Sequence, residues 1–82
     1  MLKIYGSMQC PDCSRCREDL DRAGVDYEYL DFGASLKYLK EFLAIRDGNS
    51  LFDEVREKGS IGIPCILRED GTVTLSWEDF IG

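Results

Sequence analysis

Four cysteines in 82 residues, with no histidine in the chain, make sulfur the first place to look for chemistry. Three of them fall within Cys10-Pro11-Asp12-Cys13-Ser14-Arg15-Cys16, and the fourth, Cys65, directly follows Pro64. A Cys-x-x-Cys pair can pass between dithiol and disulfide, and the form that attacks a disulfide is the thiolate. Pro11 has no N–H to donate and a φ already near the helical value, so it suits the first position of a helix with Cys10 as the capping residue. Cys10 would then sit over unpaired backbone N–H groups at the positive end of a helix dipole, and both favour thiolate over thiol. Asp12 acts in the opposite sense, because its carboxylate repels a thiolate two residues away, and Arg15 and Arg17 on the same helix can offset it. Cys13, one turn further in, is placed to resolve a mixed disulfide formed at Cys10.

The elements that must hold this pair are legible on either side of it. Leu2-Lys3-Ile4-Tyr5 reads as a short strand, Gly6-Ser7 as a turn, and Pro11 to about Ala23 as a helix that Gly24 ends in the left-handed conformation. Val25 to Asp31 reads as a second strand, parallel to the first and joined to it through the helix. Ser35 is a good cap for a second helix, whose apolar residues Leu36, Leu39, Phe42, Leu43 and Ile45 recur at helical spacing. Asp47-Gly48-Asn49 breaks it, and Ser50 opens a short helix that ends at Lys58-Gly59. Cys65-Ile66-Leu67-Arg68 and Thr72-Val73-Thr74-Leu75 flank Asp70-Gly71 as a hairpin. Ser76 then caps a terminal turn or helix from Trp77 to Ile81. The pattern predicts one α/β domain over residues 1–82, in the order β-α-β-α-β-β-α, with a four-stranded mixed sheet flanked by helices.

With Cys10-Pro11-Asp12-Cys13 opening the first helix and Ile63-Pro64 heading the third strand, the chain resembles the glutaredoxin branch of the thioredoxin superfamily over nearly its whole length. The resemblance implies a thioredoxin-like fold, a cis bond before Pro64, and a thiol–disulfide oxidoreductase in which Cys10 and Cys13 are catalytic. It further implies a substrate groove formed by Pro11, Ile63, Pro64, Glu78 and Asp79, with the backbone of Ile63 pairing an extended substrate. No bound cofactor is implied; glutathione enters as a co-substrate. Many glutaredoxins have a Lys three residues before the first cysteine, a Tyr inside the motif, a Thr two before the proline and a Gly-Gly-x-x-Asp near the end. This chain has Ser7, Asp12, Gly62 and Leu75-Ser76-Trp77-Glu78-Asp79 there, which favours redox chemistry over tight glutathione binding. The substrates expected are disulfide-containing proteins or small thiols, with a thioredoxin-reductase-type donor.

A net charge of −6 and a pI of about 4.5 disfavour nucleic acid and anionic lipid as partners, since both require clustered Lys and Arg. No run of apolar residues is long enough to span a membrane, and no charged segment followed by an apolar stretch marks a signal peptide. The expectation is a cytoplasmic monomer. Without histidine, imidazole acid–base catalysis and imidazole ligation are excluded. The competing reading takes Cys10, Cys13, Cys16 and Cys65 together as ligands for zinc or an iron–sulfur cluster. Cys65, directly after Pro64, is expected to lie near the pair, so that the four could form one thiolate cluster; the first reading involves no metal and treats Cys16 as a small packed residue.

Overall fold

The strand, turn and helix that position the cysteine pair are found in the computed structural model, which describes residues 1–81, although the Cys10 side chain makes no capping hydrogen bond. β1 runs Leu2–Gly6 and α1 runs Pro11–Arg22. Cys10 is the extended residue at the helix start, at φ −92° and ψ 118°, with Pro11 next to it in the first turn. The far end closes on Gly24, whose φ is +74°. There the N–H of Gly24 bonds the carbonyl of Asp21 at 3.2 Å and the N–H of Val25 bonds that of Leu20 at 3.0 Å, the paired closure of a glycine-terminated helix. Because the Val25 amide is used in this closure, the second strand begins later than the alternation of side chains suggests. β2 is Tyr27–Asp31, parallel to β1 in the register Leu2 to Tyr27 through Gly6 to Asp31.

α2 spans Leu36–Asp47, and the Ser35 hydroxyl accepts the N–H of Lys37 at 3.2 Å to cap it. Asn49 caps the next turn in the same manner, its side-chain oxygen taking the N–H of Leu51 at 2.9 Å. The chain passes through a 3-10 turn at Ser50–Phe52 into α3, Asp53–Glu57. β3, Cys65–Leu67, is antiparallel to β1, and β4, Val73–Thr74, is antiparallel to β3. Both hairpin strands are shorter than the apolar runs suggest, since Arg68 and Thr72 already belong to the bend. Arg68 N–H reaches the Thr72 carbonyl at 2.8 Å, and the Asp70 carboxylate takes both the N–H and the hydroxyl of Thr72. The last element, Trp77–Phe80, is a 3-10 turn, where the sequence left open a turn or a helix; the Ser76 side chain makes no capping bond.

The result is an α/β arrangement with a four-stranded mixed sheet in the order β2-β1-β3-β4. Successive residues of a strand point to opposite faces, and this divides the core into two layers. On one side Tyr5, Leu30 and Cys65 pack with Phe42 of α2 and with Phe52. On the other, Ile4 and Ile66 pack with Cys16 and Leu20 of α1, with Trp77 and Phe80 at the margin. Among the described residues no helix is long and apolar enough to cross a membrane.

Candidate active site

The Cys-x-x-Cys motif lies where the sequence puts it, at the junction of β1 and α1. The loop between them is held by the Cys10 N–H on the Ser7 carbonyl at 3.1 Å and the Gln9 N–H on the Ser7 hydroxyl at 3.2 Å. Cys10 is half-buried and Cys13 fully buried, and both are free thiols. They are three apart on one helix and so face the same side. The Cys10 carbonyl takes the Ser14 N–H at 3.2 Å, so Cys10 is already bonded into the first turn. Its flanking charges are engaged elsewhere: Arg15 faces Asp12 at 3.7 Å, while Arg17 lies over the Tyr29 ring at 4.5 Å and donates to Met8 Sδ at 3.0 Å.

Burial pushes the Cys13 thiol up to about 11. A backbone hydrogen bond from Ser7 opposes this, contact with Cys10 adds to it, and the nearby Tyr29 hydroxyl opposes it again. The close approach of Cys13 to the sheet depends on Gly6. A Cβ at that position would stand 2.8 Å from Cys13 Sγ and 2.7 Å from the Tyr29 hydroxyl oxygen. Gly6 is therefore the last residue of β1 and a contact surface for the thiol, as well as the start of the turn. Neither Gly6 nor Tyr29 is singled out by the sequence. The parallel register that sets Tyr29 opposite Ile4, on the α1 face, is what brings its hydroxyl to the cysteine.

Pro64 is buried and the Ile63–Pro64 bond is cis, as the resemblance implies. The antiparallel register that pairs Tyr5 with Cys65 carries the next residues, Gly6 and Pro64, to the same end of the sheet as the motif. Glu78 and Asp79 lie in the terminal 3-10 turn that packs near α1: Asp79 faces Arg68 at 3.7 Å, and Trp77 Nε1 donates to Asp19 at 2.8 Å. The charge of Glu78 is felt at Cys16.

Cys65 lies apart from the other three cysteines. Following Pro64 in sequence does not bring it to the pair, because its side chain enters the layer of Tyr5, Leu30, Phe42 and Phe52, across the sheet from Cys16. Cys10, Cys13, Cys16 and Cys65 therefore do not converge on one point. Among the described residues no group of three or more His, Cys, Asp or Glu side chains is arranged to hold a metal ion.

Compared with known proteins, the chain is 41% identical over 72 residues to an uncharacterized protein of Haemophilus influenzae, a match that covers 88% of this chain and 84% of the relative. The chain belongs to that protein's family. No family model matches it, and no solved structure does.

In this member of the family, the three buried thiols also set an alkaline limit on stability. Burial drives Cys65 up to about 12 and is the main cause of the rise at Cys16, also to about 12. A proton held more tightly in the folded chain stabilises it fully below the ordinary value of 9.0, and the contribution is lost as the pH climbs toward the folded value. The unfolding free energy is accordingly expected to hold below about pH 9 and to fall above it by up to about 1.4 kcal/mol per pH unit for each thiol involved, and the melting temperature to fall with it. Cys65→Ala should make that decline shallower. An alkaline slope identical to that of the unmodified chain would rule out ionisation of Cys65 as a cause.

Proposed function

We propose that the chain is a glutaredoxin-like thiol–disulfide oxidoreductase of thioredoxin-like fold, cycling Cys10 and Cys13 between dithiol and disulfide. The observation that carries this reading is the half-buried Cys10 at the start of α1, with buried Cys13 one turn behind it and a cis-proline at the same end of the sheet. The Cys10 thiolate attacks one sulfur of a substrate disulfide, forming a Cys10 mixed disulfide and releasing the other half as a thiolate. Cys13 then gives up its proton and attacks Cys10 Sγ, and the second substrate half leaves as a thiolate. The substrate gains two electrons and the protein holds one disulfide. The backbone at Ile63 would align an extended substrate beside the pair, with Pro11 and Pro64 as walls, while Asp79, held to Arg68 beyond the other end of β3, stands away from that groove.

The substrates this site suits are disulfide-containing proteins or mixed disulfides of small thiols. Glutathione should be a poor one. Its carboxylates need cations, yet Arg15 is paired with Asp12 and Lys58 with Glu54 at 2.9 Å, and Arg68 already faces Asp79. Losing one charge-assisted hydrogen bond costs roughly 1.5–3 kcal/mol, one to two powers of ten in affinity. A thioredoxin-reductase-type donor or a protein dithiol is therefore expected to reduce the chain more efficiently than glutathione. Turnover of a glutathione mixed disulfide as fast as that of an ordinary glutaredoxin assayed alongside would contradict this.

Brief alkylation of the reduced chain near neutral pH tests the central assignment. Cys10 should be labelled first, and equal labelling of buried Cys16 or Cys65 would sink it. Equilibration against glutathione and thioredoxin couples then gives the reduction potential of the pair.

A further inference from the structure

The hydroxyl of Tyr29 has no role in the scheme above, yet its placement is unusual. It is sealed from solvent and has no hydrogen-bond partner at ordinary geometry. The position a Cβ would occupy on Gly6 lies 2.7 Å from it and 2.8 Å from Cys13 Sγ, so oxygen and sulfur both lie against the same bare glycine. The ring cannot easily turn away, since the Arg17 guanidinium covers it at 4.5 Å and its strand is locked in register to β1.

Resting on the dithiol reading, we infer that Tyr29 is a positioning residue that donates a hydrogen bond to Cys13 Sγ whenever that sulfur carries negative charge. Two moments in the cycle require it. When a Cys10 mixed disulfide is resolved, the Cys13 thiol loses its proton to solvent or to the departing thiolate, and its sulfur attacks Cys10 Sγ. When a donor thiolate attacks Cys10 Sγ of the oxidised pair, the bond to Cys13 breaks and the electron pair leaves on Cys13. In both, the phenol keeps its own proton and stabilises a charge that burial otherwise disfavours. Tyrosine suits this task because burial, followed by the nearby charge of Cys13, raises its own ionisation well above the ordinary range, so it stays a donor. Five groups act on the Cys13–Tyr29 pair: Cys10 just before α1, Cys16 and Arg17 on it, the Ser7 backbone in the loop, and Asp31 on β2. Of these, the Ser7 N–H also lowers the cost of a thiolate at Cys13, which leaves Tyr29 as the side-chain donor.

The test is a rapid-mixing reaction of the reduced full chain with a symmetric dithiobis(nitrobenzoate), whose coloured thiolate is released once when Cys10 attacks and again when Cys13 resolves. Tyr29→Phe should leave the first release unchanged and slow the second by about tenfold or more, with its pH profile displaced to higher pH. Tyr5→Phe serves as the control, because it removes a hydroxyl that reaches Glu41 on the other face of the sheet at 3.5 Å. It should change neither phase. A second release within twofold of the unmodified chain at every pH would overturn the role given to Tyr29. So would an equal slowing of both phases with a lower melting temperature, the mark of general loosening. If the unmodified chain itself gives only the first release, the dithiol reading falls and this inference with it; if it gives both and Tyr29→Phe does too, only this inference falls.

Discussion

Serine at position 10 is expected to lower disulfide turnover by at least about a thousandfold, because the hydroxyl has neither the acidity nor the nucleophilicity of the thiol it replaces. Serine at position 13 should behave differently. With Cys10 intact the first attack proceeds, but nothing resolves the product, so the chain accumulates with one substrate half attached. Intact mass measurement after exposure to a disulfide substrate distinguishes the two: no adduct at position 10 in the first variant, one stable adduct in the second. Cys16 lies one turn beyond Cys13 but is buried in the layer of Ile4, Leu20 and Ile66, so it should not rescue either variant. Turnover by the Cys10→Ser chain within tenfold of the original would move the reactive sulfur elsewhere.

The second large effect belongs to Gly62, two residues before the cis-proline. Its φ is +94°, and a Cβ there would meet Phe52 ring atoms at 2.9 and 3.0 Å and Val55 at 3.3 Å. Alanine therefore suffers twice: roughly 1–2 kcal/mol for a left-handed backbone and roughly 1–3 kcal/mol for overpacking against a buried ring. For a domain of this size each kcal/mol shifts the melting temperature by about 4–8 °C, so Gly62→Ala should melt at least about 10 °C lower. Gly59 and Gly71 supply the comparison. They have φ of +72° and +90° but nothing within 4 Å of a built Cβ, so alanine there should incur the backbone cost alone. Equal losses at all three positions would show that Phe52 yields without cost.

How much of this could be read from the chain follows from the range over which each feature is specified. The start of α1 is local: Pro11 and Cys10 suffice, and the helix begins there. Ser35 capping α2 is equally local. β2 starts later than the sequence suggests because Val25 continues the apolar alternation while its amide is claimed by the helix closure at Gly24. Adjoining Pro64 suggests a place for Cys65 beside the pair, yet a strand reverses side-chain direction at every residue, and one position puts it on the α2 side. Tyr29 could not be identified from the chain at all. Its meeting with Cys13 depends on the pairing register of β1 and β2, and on the absence of a side chain at Gly6.

The bond from Trp77 to Asp19 gives the molecule a built-in optical gauge. Trp77 is the chain's single tryptophan, and its indole is tied at 2.8 Å to the same helix that carries the cysteine pair. Its emission therefore comes from one seam, between the terminal turn and α1, and from no other part of the fold. Detachment of that turn would register as a change in colour and intensity while the sheet, which has no indole of its own, stayed silent.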